Sequence, residues 1–129
     1  MLLHHVQVAM PPGAEDRARA FYVDALGLTE AEKPAVLAAR GGCWFRAETA
    51  GRTTAEIHLG VEDPFAPAKK AHPGLLVGSV AELESLAARI ESNGFGVDWS
   101  ERDTFGGYVR FHCRDGFGNR LEVLAPAEG

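Results

Sequence analysis

Three features of the 129-residue sequence predict an α+β fold in which one strand–helix–strands unit is used twice. Strand-like alternation and helix-like periodicity follow each other in the same order in both halves, with a proline-containing stretch between them. The spacing repeats too. His5 precedes Gly27 by 22 residues and His72 precedes Gly94 by 22, and each glycine closes a helical pattern. The last strand also repeats: "EIHL" and "RLEV" share an apolar–polar–apolar run that matches His58 with Glu122. His5 lies 53 residues before His58 and His72 lies 50 before Glu122, a difference that a loop of variable length absorbs.

Residues 3–10 alternate as a strand, with Val6, Val8 and Met10 on one face and His5, Gln7 and Ala9 on the other. Pro11-Pro12-Gly13 ends it. From Ala14 to Leu26 the apolar residues Ala18, Phe21, Tyr22, Ala25 and Leu26 recur at helical steps. Glu15 and Asp16 sit in the first turn, where the helix dipole favours acids, and Gly27 closes the helix. Strands are expected over 36–47, interrupted at Gly41-Gly42, and over 53–60. Residues 62–70 are a linker by composition. A strand over 72–78 precedes the clearest local signal. Ser79 and Glu82 form a capping box ahead of Leu83, Leu86, Ala87 and Ile90, and Asn93-Gly94 stops the helix. Strands fit at 96–100, 107–113 and 119–124, the last two joined by a turn at Arg114–Asn119. One domain of two modules is expected, about residues 1–61 and 72–126, with 62–71 linking them.

A net charge of −5, with acids and bases interspersed, argues against a nucleic-acid partner. No apolar run is long enough to span a membrane, and the N-terminus lacks a signal-peptide pattern. Cys43 and Cys113, far apart in sequence, read as reduced, buried residues of a cytoplasmic protein. No nucleophile motif surrounds Ser79, Ser85, Ser92 or Ser100.

The repeat places a histidine at the start of each module and a histidine or glutamate in its last strand. If the modules pack about a pseudo-twofold axis, His5, His58, His72 and Glu122 converge. Imidazole and carboxylate suit Zn, Ni, Fe or Mn, and such a metal stabilises negative charge on a substrate oxygen. Alternatives stay open on each position. His4 neighbours His5, Glu56 shares a strand face with His58, and Glu122 has Arg120 on its own face as an ion-pair partner. Of Trp44 and Phe45, one must face the pocket. Tyr108, Arg110 and His112 share a strand face, and the Arg110 fork matches an anionic group.

"HHVQV", "AFYVDALGL", "EIHLGV", "HPGLLV" and "DGFGNRLEVLAP", in this order over nearly the whole chain, resemble the vicinal oxygen chelate superfamily. That superfamily includes glyoxalase I, fosfomycin and bleomycin resistance proteins, and extradiol dioxygenases. Gly116 stands where the family commonly has proline. The resemblance implies paired βαβββ modules forming a U-shaped mixed sheet around a pocket, a homodimer, and metal ligands at His5, His72 and Glu122 with His58 as a fourth. Gln7 then faces the pocket beside His5.

The expected function is that of a glyoxalase-like, divalent-metal-dependent enzyme, a lyase, isomerase or transferase acting on a small oxygen-chelating substrate. Glu122 or Glu56 would shuttle a proton, and Gln7, Trp44, Phe45, Tyr108, Arg110 and His112 would contact substrate. The alternative is a metal-free drug-binding protein of the bleomycin-resistance type; an extradiol-type dioxygenase is third.

Overall fold

The computed structural model describes residues 1–128. The first module runs β1 (Val6–Met10), α1 (Glu15–Arg19), β2 (Thr29–Ala31), a one-turn α2 (Ala35–Ala38), β3 (Cys43–Thr49) and β4 (Arg52–Val61). The second runs β5 (Gly74–Leu76), α3 (Val80–Ser92), β6 (Val97–Asp98), β7 (Tyr108–Arg114) and β8 (Arg120–Pro126). The strands form two four-stranded mixed sheets of equivalent order, β1-β4-β3-β2 and β5-β8-β7-β6. In each, the first and last strands of the module pair parallel and the others antiparallel.

The repeat holds residue by residue. Gln7 and Trp44 flank His58 in the first sheet, as Gly74 and His112 flank Glu122 in the second. Gly27 and Gly94 both take the left-handed backbone, at φ 84° and 88°. The Ser79 hydroxyl accepts from the Glu82 amide at 3.1 Å, and Glu82 Oε2 accepts from the Gly78 amide at 3.0 Å.

Three elements differ from expectation. Residues 36–38 belong to a helical turn, in which the Pro34 carbonyl accepts the Leu37 and Ala38 amides, and the strand begins only past Gly41-Gly42. The short edge strand β2 has no sequence run long enough to announce it. The first helix widens into a π-helical segment over Ala20–Ala25.

Strand alternation splits each sheet into two faces. Met10, Phe45, Ile57 and Leu59 from one sheet join Phe111, Leu121, Val123 and Ala125 from the other. With Phe21, Tyr22, Leu83 and Ile90 from the helices they make one continuous core. The opposite faces carry the polar residues. The modules are also braced by hydrogen bonds. The Tyr22 hydroxyl donates to Asp115 Oδ2 at 2.6 Å, and Asn119 Nδ2 donates to the Ala9 carbonyl at 2.7 Å and to Asp115 Oδ2 at 2.9 Å. Asp115 Oδ1 accepts the Phe117 and Asn119 amides. Among the described residues, no helix is long and apolar enough to cross a membrane.

Candidate metal centre

On the polar face of the second sheet, His72, His112 and Glu122 bring one ligand atom each within 4.8 Å of the others. His72, just ahead of β5, puts Nε2 3.0 Å from Glu122 Oε1, and His112 on β7 puts Nε2 3.4 Å from the same oxygen. Arg110 Nη1 donates to Glu122 Oε2 at 3.2 Å. Burial pushes the Glu122 carboxyl up, but the contact with His72, the hydrogen bond from Arg110 and the nearby charges outweigh it and hold the pKa below the ordinary 4.5. Burial, then the Arg120 charge, holds His112 below the ordinary 6.5, so its ring stays neutral near pH 7.

The two histidines are supported differently. His72 Nδ1 lies 2.6 Å from the Lys70 carbonyl, which can only accept, so Nδ1 carries the hydrogen. In a neutral ring, Nε2 then offers a lone pair to a carboxylate oxygen. Two acceptors 3.0 Å apart need a second proton or a cation between them. A carbonyl on the far nitrogen is the usual way a metal-binding histidine is oriented. The donor set therefore fits a divalent metal. His112 Nδ1, in contrast, is buried with no partner among the described residues.

The first sheet carries a second cluster. His5, His58 and Trp44 stack in series, with ring centroids 4.1 and 4.0 Å apart. Glu56 Oε1 lies 3.5 Å from His58 Nε2 and Glu56 Oε2 lies 3.9 Å from His4 Nδ1. Burial, then the charge of His5, lowers the His58 pKa. The structure thus brings His72 and Glu122 together with His112, and brings His5 and His58 together with Trp44 and Glu56.

A family model, the Glyoxalase/Bleomycin resistance protein/Dioxygenase superfamily, matches residues 3–123. The chain belongs to this superfamily. A glyoxalase family protein from Bacillus anthracis is 38% identical, covers 98% of this chain and 96% of its own, and superposes with a TM-score of 0.83. Two further structures share the fold. One is the fosfomycin resistance protein FosX from Listeria monocytogenes, 15% identical with a TM-score of 0.68 over 100% of this chain and 94% of its own. The other is TnmS3, an antibiotic binding protein from a Streptomyces species, 22% identical with a TM-score of 0.65 over 98% and 99%. No curated protein matches the chain.

In this superfamily member, the residues expected to contact substrate divide by strand face. Phe45 points into the core, fully buried and stacked on Tyr22, because it alternates with Trp44, which takes the polar face. Gln7 packs its amide over Gly60, where a Cβ would lie 2.6 Å from Nε2. Arg110 is engaged by the protein itself, donating to Glu122, the Thr104 hydroxyl and the Glu101 carbonyl. Its partner is thus Glu122, while Arg120, the partner weighed from the sequence, has no ion pair among the described residues. Tyr108 is half-buried against Phe105 at the end of β7. The Lys70 carbonyl was beyond sequence reasoning, since a main-chain acceptor leaves no residue-type signature.

Proposed function

We propose that this chain is a divalent-metal-dependent enzyme of the glyoxalase type, acting as a lyase, isomerase or transferase on a small substrate that presents adjacent oxygens. The His72–Glu122 contact carries this reading: an imidazole fixed by the Lys70 carbonyl turns its other nitrogen to a carboxylate oxygen at 3.0 Å. His72 and Glu122 would hold the ion, with His112 Nε2 as a third donor within the chain. His5, backed by His58, completes the set from the first module of a second copy, since both lie in a separate cluster within one chain. A bound divalent ion supplies Lewis acidity to a substrate oxygen.

The chain's own residues do the rest. Arg110 occupies the second oxygen of Glu122 and keeps that carboxylate ionised and oriented. Glu56, largely buried beside His58 Nε2 and so brought with His5 by the second copy, would take a proton from substrate and return it. Cys43 and Cys113 are both buried and free, as suits a reducing cytoplasm.

Elemental analysis of the untagged protein tests the reading. We expect about one Zn, Ni, Fe or Mn per chain, lost in Glu122→Ala and in His5→Ala. Mixing the two variants, unfolded and refolded together, should restore one intact site in each mixed dimer. Metal binding by His5→Ala alone would confine the site to one chain. A wild type that stays metal-free after reloading would overturn the enzyme reading and leave a drug-binding protein.

A further inference from the structure

Beside the His72–His112–Glu122 group lies a cavity of about 540 Å³, lined by Lys69, Lys70, Asp98, His112, Arg114 and Arg120 among others. It holds four cationic side chains and one carboxylate in a chain whose net charge is −5. Among the described residues, none of the four cations has a carboxylate within ion-pair distance. Arg114 makes a single side-chain hydrogen bond, from Nη1 to the Gly118 carbonyl. Asp98, the one acid, accepts the Ser100 amide.

Arg114 and Arg120 sit directly opposite each other on β7 and β8. Like charges at such positions destabilise a sheet. The repeat makes the oddity measurable. The equivalent positions in the first module are Arg46 on β3 and Glu56 on β4, an opposite-charge combination. The second module has arginine on both strands where the first has one of each sign. The cost is concentrated where the cavity meets the proposed metal centre, and the shared wall is His112, whose buried Nδ1 lacks a partner.

We propose that this cavity is the subsite for a doubly charged oxyanion on the substrate, a phosphate-type group held by Arg114 and Arg120 with Lys69 and Lys70. Rigid guanidinium forks suit the planar edges of such a group, and lysines add mobile charge. A single carboxylate would neutralise only part of the charge. This assignment rests on the reading of His72, His112 and Glu122 as the reactive centre. It moves anion recognition from Arg110, which the protein already engages, to the other side of His112.

The test is titration calorimetry with inorganic phosphate, against acetate at equal ionic strength, on chelator-treated and metal-loaded protein. We expect saturable phosphate binding in both forms. It should weaken at least about tenfold in Arg120→Gln and in the Lys69→Gln/Lys70→Gln double variant, which leaves the sheet untouched. Both variants should keep the wild-type metal content. Arg120→Gln should melt higher than wild type in phosphate-free buffer, because it relieves the like-charge pair, and should lose the phosphate-induced rise. Phosphate binding that requires loaded metal and is unchanged in Arg120→Gln would overturn the subsite while leaving the metal centre standing. Acetate binding as tight as phosphate would overturn the dianion assignment. Phosphate held at these cations in a protein that never takes up metal would support the subsite and refute the metal reading.

Discussion

Tyr22→Phe removes one hydroxyl from the brace between modules and little else. The phenol is buried and donates at 2.6 Å to Asp115 Oδ2, a carboxylate that is itself buried. Without it, Oδ2 keeps only Asn119 Nδ2, while Oδ1 keeps the Phe117 and Asn119 amides. A hydrogen bond to a charged group contributes about 1.5–3 kcal/mol, so a loss of about 2 kcal/mol is expected. A chain of 129 residues has an unfolding entropy of about 0.27 kcal/mol/K, which converts that loss into a fall in Tm of roughly 7 °C. Thermal unfolding followed by circular dichroism measures it. A double-mutant cycle with Asp115→Asn isolates the pair from the loss of packing. A fall under about 2 °C, or additive single variants, would refute the claim that this bond couples the modules.

The same bond carries a pH signature. Burial, then the Asp115 charge and hydrogen bond, raise the Tyr22 pKa well above 10.0. Its contribution is fully present below the unfolded value. As pH climbs past about 10, the unfolded chain gains by ionising Tyr22 while the folded chain does not. The stability gap between wild type and Tyr22→Phe should therefore narrow above pH 10. A gap that widens there would contradict the sign.

Other substitutions probe the frame that holds the site. Gly42→Ala should cost at least about 2 kcal/mol in urea denaturation, since φ is +86° and a Cβ would lie 2.1 Å from the Leu59 carbonyl oxygen. Phe45→Ala should cost about 3–5 kcal/mol, because its ring is fully buried on Tyr22. Burial pushes the thiols of Cys43 and Cys113 up to about 11 and about 12. Both should resist a disulfide reagent at pH 8 in the native protein and react once it is denatured; rapid labelling of the native chain would refute their burial.

The legible parts of the sequence were those where one physical demand fixes residue type and spacing together. The capping box at Ser79 and Glu82 and the left-handed glycines at 27 and 94 belong here. So does the match of His58 with Glu122, which the strand register reproduces. The short strand β2 and the turn α2 were not legible, because three or four residues give no period to read. The wall of the candidate site was half legible. Alternation put Tyr108, Arg110 and His112 on one face, yet it could not say that Arg110 turns to Glu122 and Thr104. Nor could it divide Trp44 from Phe45 without knowing which face of β3 meets the helices. The brace at Tyr22, Asp115 and Asn119 was hidden for another reason: 93 residues separate its ends.

The two modules keep the same backbone while exchanging what the sheets present, and the exchange follows the faces. On the core side, Cys43 and Phe45 occupy the register positions that Phe111 and Cys113 occupy in the second module. Each equivalent pair therefore contributes one ring and one thiol. Two rings at one pair and two thiols at the other would overfill one part of a shared core and leave a void in another. On the polar side no such volume constraint applies, and there the modules diverge in chemistry. Trp44 is replaced by His112, Glu56 by Arg120 and His58 by Glu122. The divergence runs down adjacent positions of β7 and β8, the two central strands of the second sheet. Residues that neither fill the core nor close a turn are the ones free to change, and the differences between the modules accumulate on that face, down to the like-charged Arg114 and Arg120 opposite each other in the second sheet.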